Sequence, residues 1–114
     1  MTANDIKRIL YEGYAKYSIE FFYLSLEIIH AIPNCTLECI SKSHDGIHLT
    51  FTFESNLVTK DDITFAVSSA LKTKLLSIAH VKENKKELED FVENNEMNSM
   101  FTVLIIGDKF TVIL

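Results

Sequence analysis

From Asn4 to Ala31 apolar side chains return every three or four positions: Leu10, Tyr14, Tyr17, Phe21, Leu24, Ile28 and Ala31. That sustained spacing predicts one long helix. A second stripe, Ile9, Phe22, Leu26 and Ile29, widens the apolar face beyond that of a simple amphipathic helix. Thr2 or Asn4 offers the N-cap, Gly13 is the weakest helical position, and Pro33 with Asn34 stops the helix. At 1.5 Å per residue such a helix is about 40 Å long and crosses a whole small domain. Part of its wide face is therefore expected to meet a second chain.

After Pro33 the period changes from helical to alternating. Thr36 to Lys42 reads as a strand, Asp45-Gly46 as a turn and Ile47 to Glu54 as the return strand. In the return strand Ile47, Leu49, Phe51 and Phe53 alternate with His48, Thr50, Thr52 and Glu54, as in an antiparallel sheet with one wetted face. Helical spacing then resumes. Thr59 is the expected N-cap with Asp62 three residues on, and Ile63, Val67, Ala70, Leu71, Leu75 and Ile78 form the apolar stripe. Asn84 looks like the cap of a short acidic helix with Leu88, Phe91 and Val92 facing inward.

A second hairpin closes the sequence, Phe101 to Ile106 pairing with Lys109 to Leu114 across Gly107-Asp108. Val103 to Ile106 and Val112 to Leu114 are apolar on both faces, which predicts cover on both sides by helices or by another subunit. The last strand carries no polar tail to blunt an exposed edge. The expected fold is α+β in the order α-β-β-α-α-β-β. It has a four-stranded, mainly antiparallel sheet of two hairpins, one long N-terminal helix and two further helices.

Composition narrows the class without fixing the function. One domain, residues 1 to 114, is expected at this length. A hydrophobic content of 47%, a charged content of 24%, one Pro and three Gly exclude disorder and collagenous or Pro-rich behaviour. A net charge of −5 argues against a dedicated nucleic-acid binder. Residues Met1 to Arg8 show no secretory pattern, and no run reaches the roughly 18 apolar residues of a membrane span, so a cytoplasmic protein is expected.

Enzymatic signals are sparse. Glycines at positions 13, 46 and 107 build no phosphate loop, no serine sits in a nucleophile elbow, and Arg8 is the only arginine to grip an anionic substrate. His44, Asp45 and His48 cluster at the first turn. They read either as an acid–base group or as two turn residues followed by a solvent-facing histidine. Cys35 and Cys39, with His30 nearby, raise zinc. Residues four apart in a strand lie about 13 Å from each other, too far for a shared metal or a disulfide. No metal and no cofactor are expected.

Charge distribution is more informative. Residues 83 to 96 hold six acids, Glu83, Glu87, Glu89, Asp90, Glu93 and Glu96, against Lys85 and Lys86, and so carry −4 of the −5. They form either a solvated helix face or a docking face for a basic protein. A second candidate surface is aromatic. Half of the chain's Phe and Tyr residues fall within positions 11 to 23, and Tyr14, Tyr17 and Phe21 are candidates for self-association.

The leading expectation is a small, acidic, non-enzymatic protein-binding module. Its most concrete form is an immunity or antitoxin-type inhibitor that covers the active site of a basic toxin, for example a nuclease domain. The alternative is a self-associating structural subunit or secretion-chaperone-like homodimer. A small acid–base enzyme built on the His44 turn stands third.

Overall fold

A computed structural model describes residues 18–79, 85–93 and 96–114. The fold is α+β. Helix α1 spans Ser18–Ala31, strands β1 and β2 span Thr36–Ser43 and Gly46–Thr52, and helices α2 and α3 span Lys60–Ala79 and Lys85–Glu93. A 3-10 turn at Glu96–Ser99 leads into β3, Thr102–Ile106, and β4, Lys109–Ile113. The four strands form one antiparallel sheet in the order β1-β2-β4-β3. The start of the first helix at Asn4 and the Asn84 cap lie outside the described residues, as do the side chains of Ile78, Leu88, Phe91 and Val92.

Alternation in β2 sets the layers. Ile47, Leu49, Phe51 and Phe53 are buried, and they share one core with Phe110 and Val112 of β4 and Val103 of β3. Helix α1 contributes Phe21, Leu24, Ile28 and the residue just past its end, Ile32. Ile32 takes the place expected for Ala31, which is exposed, because the stripe follows steps of three, four and four. Helix α2 contributes Ile63, Val67, Leu71 and Leu75. Its start is a capping box: the Thr59 N–H donates to Asp62 Oδ2 at 2.9 Å, and the Asp62 N–H donates to Thr59 Oγ1 at 3.2 Å.

Both hairpin turns need a residue at positive φ. Gly107 has φ 59° and opens the Gly107-Asp108 turn, as the sequence predicts. In the first hairpin the turn residues are His44 and Asp45, and Gly46, at φ 137°, opens β2. The turn therefore sits one residue earlier than Asp45-Gly46, because glycine is used just after the reversal. Asn34, at φ 55°, turns the chain out of α1, a left-handed conformation that Asn tolerates.

Two further expectations are corrected. Only one face of the β3–β4 hairpin is buried: Leu104 is 48% and Ile106 80% exposed on the other. And β4 is an inner strand between β2 and β3. The Leu114 N–H donates to the Ile47 carbonyl at 2.9 Å, so β4 leaves no bare edge. Among the described residues the sheet edges are β1 and β3.

Candidate functional site

The acidic segment is largely helical. At about 100° per residue, Glu87, Glu89, Asp90 and Glu93 fall within about 160° of the α3 circumference. Glu87, Asp90 and Glu93 are exposed and Glu89 is half-buried. Glu83 lies outside the described residues, and Glu96 opens the 3-10 turn. Lys86, also exposed, falls inside the same arc, so this helix face carries four acids against one base and is net negative.

The aromatic candidates divide differently. Tyr14 and Tyr17 lie outside the described residues, and Phe21 is 2% exposed in the chain's own core. Its ring packs inward because it shares the stripe of Leu24 and Ile28. Phe21 is therefore a core residue, and the aromatics that α1 presents outward are Phe22, 43% exposed, and Tyr23, 55% exposed.

At the first turn Asp45, Ser43 and His48 converge. His48 Nε2 lies 2.8 Å from Asp45 Oδ1 and 3.1 Å from Ser43 Oγ, and the Ser43 hydroxyl also donates to Asp45 Oδ1. Those hydrogen bonds, Ser43 first and His48 second, hold the exposed Asp45 carboxyl down to about 2. Serine and carboxylate meet the same imidazole nitrogen. In a nucleophilic triad they would occupy opposite ring nitrogens, the carboxylate orienting the ring while the other nitrogen takes the serine proton. The arrangement here ties the turn together. His44 is exposed and outside it.

Cys35 is buried just before β1, and Cys39 is exposed within it. The reason is a bulge: Leu37 pairs with Phe51, but Cys39 pairs with the next residue back, Thr50. Burial pushes the Cys35 thiol up to about 11. Among the described residues no three His, Cys, Asp or Glu side chains gather as a metal site, and no helix is long and apolar enough to cross a membrane.

One surface residue escapes the sequence reading. Phe65, on the outer side of α2, is 75% exposed. It forms a wall of two open clefts. One, about 400 Å³, runs between α2 and the 3-10 turn, past Ser68, Lys72 and Asn98, where the Ser68 hydroxyl donates to Asn98 Oδ1. The other, about 420 Å³, reaches Pro33, Leu57 and Ala66. Leu57, 58% exposed, lines it. Phe65 falls two residues after Ile63 and two before Val67, off the buried stripe. A helical wheel therefore carries the signal: a phenylalanine placed where the helix faces water.

These features are held on one scaffold, with α2 packed against both α3 and the 3-10 turn. No protein-family model, curated protein or solved structure matches the chain.

Proposed function

We propose that the protein is a small, non-enzymatic, cytoplasmic protein-binding module that covers a basic partner. Its most concrete form is an immunity or antitoxin-type inhibitor of a basic toxin. The observation that carries this reading is Phe65, an aromatic side chain 75% exposed between two clefts. Such a side chain supplies an anchor at low conformational cost, and binding energy concentrates in residues of this kind. The exposed carboxylates of Glu87, Asp90 and Glu93 on α3 supply the second ingredient, a negative field that speeds association with a cation-rich surface.

The two ingredients make separable demands. An apolar anchor governs how long the complex lasts, whereas peripheral charge governs how fast it forms and how strongly salt weakens it. Tagged protein used to capture partners from the native host, washed at low and at high salt, tests both. The wild type retains one stoichiometric basic protein. Phe65→Ala weakens retention at every salt concentration, by about 30-fold if Phe65 is a central anchor. The triple variant Glu87→Lys, Asp90→Lys, Glu93→Lys slows association most at low salt. Capture that neither variant alters removes the reading.

A further inference from the structure

The two edges of the sheet are built differently. On β1 the edge is interrupted by the bulge at Glu38 and carries Glu38 and Lys42, devices that keep a stray strand from docking. On β3 there is no bulge, no proline and no charge: Thr102-Val103-Leu104-Ile105-Ile106 pairs in unbroken register with β4. Among the described residues β3 pairs only with β4.

The hydrogen bonds left over on that edge follow from the hairpin. A two-residue turn makes Ile106 and Lys109 a hydrogen-bonded pair, and such pairs alternate along an antiparallel ladder. Thr102, Leu104 and Ile106 thus spend their backbone groups on β4. The Leu114–Ile47 bond fixes the same parity from the other side, since it turns Phe110, Val112 and Leu114 toward β2. The N–H and C=O groups of Val103 and Ile105 therefore point away from the sheet.

We propose that β3 pairs antiparallel with β3 of a second copy of this chain, about a two-fold axis at Leu104. In that register Val103 of each copy faces Ile105 of the other, so all the outward backbone groups find partners in two hydrogen-bonded pairs. Leu104 meets Leu104 across the axis, and Thr102 meets Ile106. The exposed apolar side chains Leu104, Ile105 and Ile106 are the ones this pairing covers. Charge selects the occupant. The chain carries −5, but residues 83 to 96 hold −4 of it and the five residues of β3 are uncharged, so two copies meet at this edge without opposing like charges. A basic partner gains nothing from a neutral edge, whereas a second neutral strand does. The result is one eight-stranded sheet, and with so short an interface a dimer that dissociates readily.

Sedimentation of the full chain, from about 1 µM to about 300 µM, reads this directly. The wild type shifts from monomer toward twice its mass. Leu104→Lys and Leu104→Glu each place like charges opposite one another and weaken the dimer by at least about 10-fold. An equimolar mixture of the two variants regains it, because unlike charges then meet at the axis. Ile105→Pro removes an outward N–H together with the Ile105 side chain, leaves the hydrogen bonds to β4 intact, and gives a folded monomer. Phe65→Ala leaves the dimer unchanged, so this pairing and the basic-partner reading fail separately. A wild type that stays monomeric, a dimer indifferent to Leu104→Lys, or a mixture that stays monomeric overturns the proposal. Mass gained only on adding a different protein, and lost with Leu104→Lys but not with Phe65→Ala, would put a foreign strand on this edge and overturn it equally.

Discussion

Leu37 and Ile40 lie three residues apart in β1, yet both pack against the hydrophobic core. In a regular strand an odd separation sends side chains to opposite faces. The extra residue, Glu38, restores the parity by opposing no residue of β2, and its side chain reaches across the open face to accept from Lys109 Nζ at 2.9 Å. A scan of β1 with aspartate reads this out. Leu37→Asp and Ile40→Asp should each cost about 1–3 kcal/mol, because each drives a carboxylate against apolar neighbours. Cys39→Asp and Glu38→Ala should stay within about 0.5 kcal/mol, the Lys109 pair being solvent-exposed. Denaturant midpoints measure all four. If either Leu37→Asp or Ile40→Asp is silent, β1 runs without its bulge.

Phe110 is the centre of the aromatic core. Its ring stacks on Phe51 at 4.8 Å and meets the edge of Phe53 at 5.1 Å, with no exposed surface. Phe110→Ala should destabilise the fold by about 3–5 kcal/mol. Phe65→Ala removes a ring of the same size and should cost less than about 0.5 kcal/mol. Urea unfolding separates the two, with equal slopes if both variants keep the native state. A large loss from Phe65→Ala would mean that its ring is structural.

Much of this architecture is legible before any coordinates. The Ile47-Leu49-Phe51-Phe53 alternation fixes the core face of β2, Thr59 with Asp62 marks the start of α2, and Gly107-Asp108 marks the second turn. Features that depend on pairing are not legible. A bulge belongs to two strands at once, so nothing in Glu38 announces it. The continuous apolar run in β3 and β4 implies two-sided burial, but strand order leaves β3 at an edge with Leu104 and Ile106 uncovered. Helix α1 shows the same limit: the a/d pattern finds the stripe that buries Phe21 without saying which aromatics stay outside. Phe65 was legible in principle, because its position off the α2 stripe already sets it apart.

The first-turn cluster makes a prediction in acid. Asp45 titrates at about 2 rather than 3.8 because the Ser43 hydroxyl and His48 Nε2 bind its ionised form. A carboxyl depressed in the folded state contributes stability that is present above its unfolded value and lost as pH falls through the folded one. Between pH 3.8 and about 2 the wild type should therefore lose a contribution that Asp45→Asn lacks throughout. Ser43→Ala should raise the Asp45 value toward 3.8, and His48→Ala should do so by a smaller amount. Carbon-detected NMR titration of the Asp45 carboxyl follows the shift. An unchanged value in both variants would remove the hydrogen bonds as its cause.

The two cysteines make the complementary prediction in base. Cys39 stands exposed on the open sheet face, whereas Cys35 is 6% exposed and burial lifts its thiol from 9.0 to about 11. A thiol reagent reacts through the thiolate, so near pH 8 it should label Cys39 alone in the native protein and both residues once the chain is unfolded. The sign of the pH effect is opposite to that of Asp45. Between pH 9.0 and about 11 the unfolded Cys35 has released its proton while the folded one keeps it, so stability falls as pH rises through that window. Cys35→Ala should flatten that alkaline slope while lowering stability at neutral pH through the lost packing. Mass spectrometry of the labelled protein and thermal unfolding at several alkaline pH values measure the two halves. Native labelling of Cys35 at the rate of Cys39 would show that the start of β1 opens faster than its burial implies.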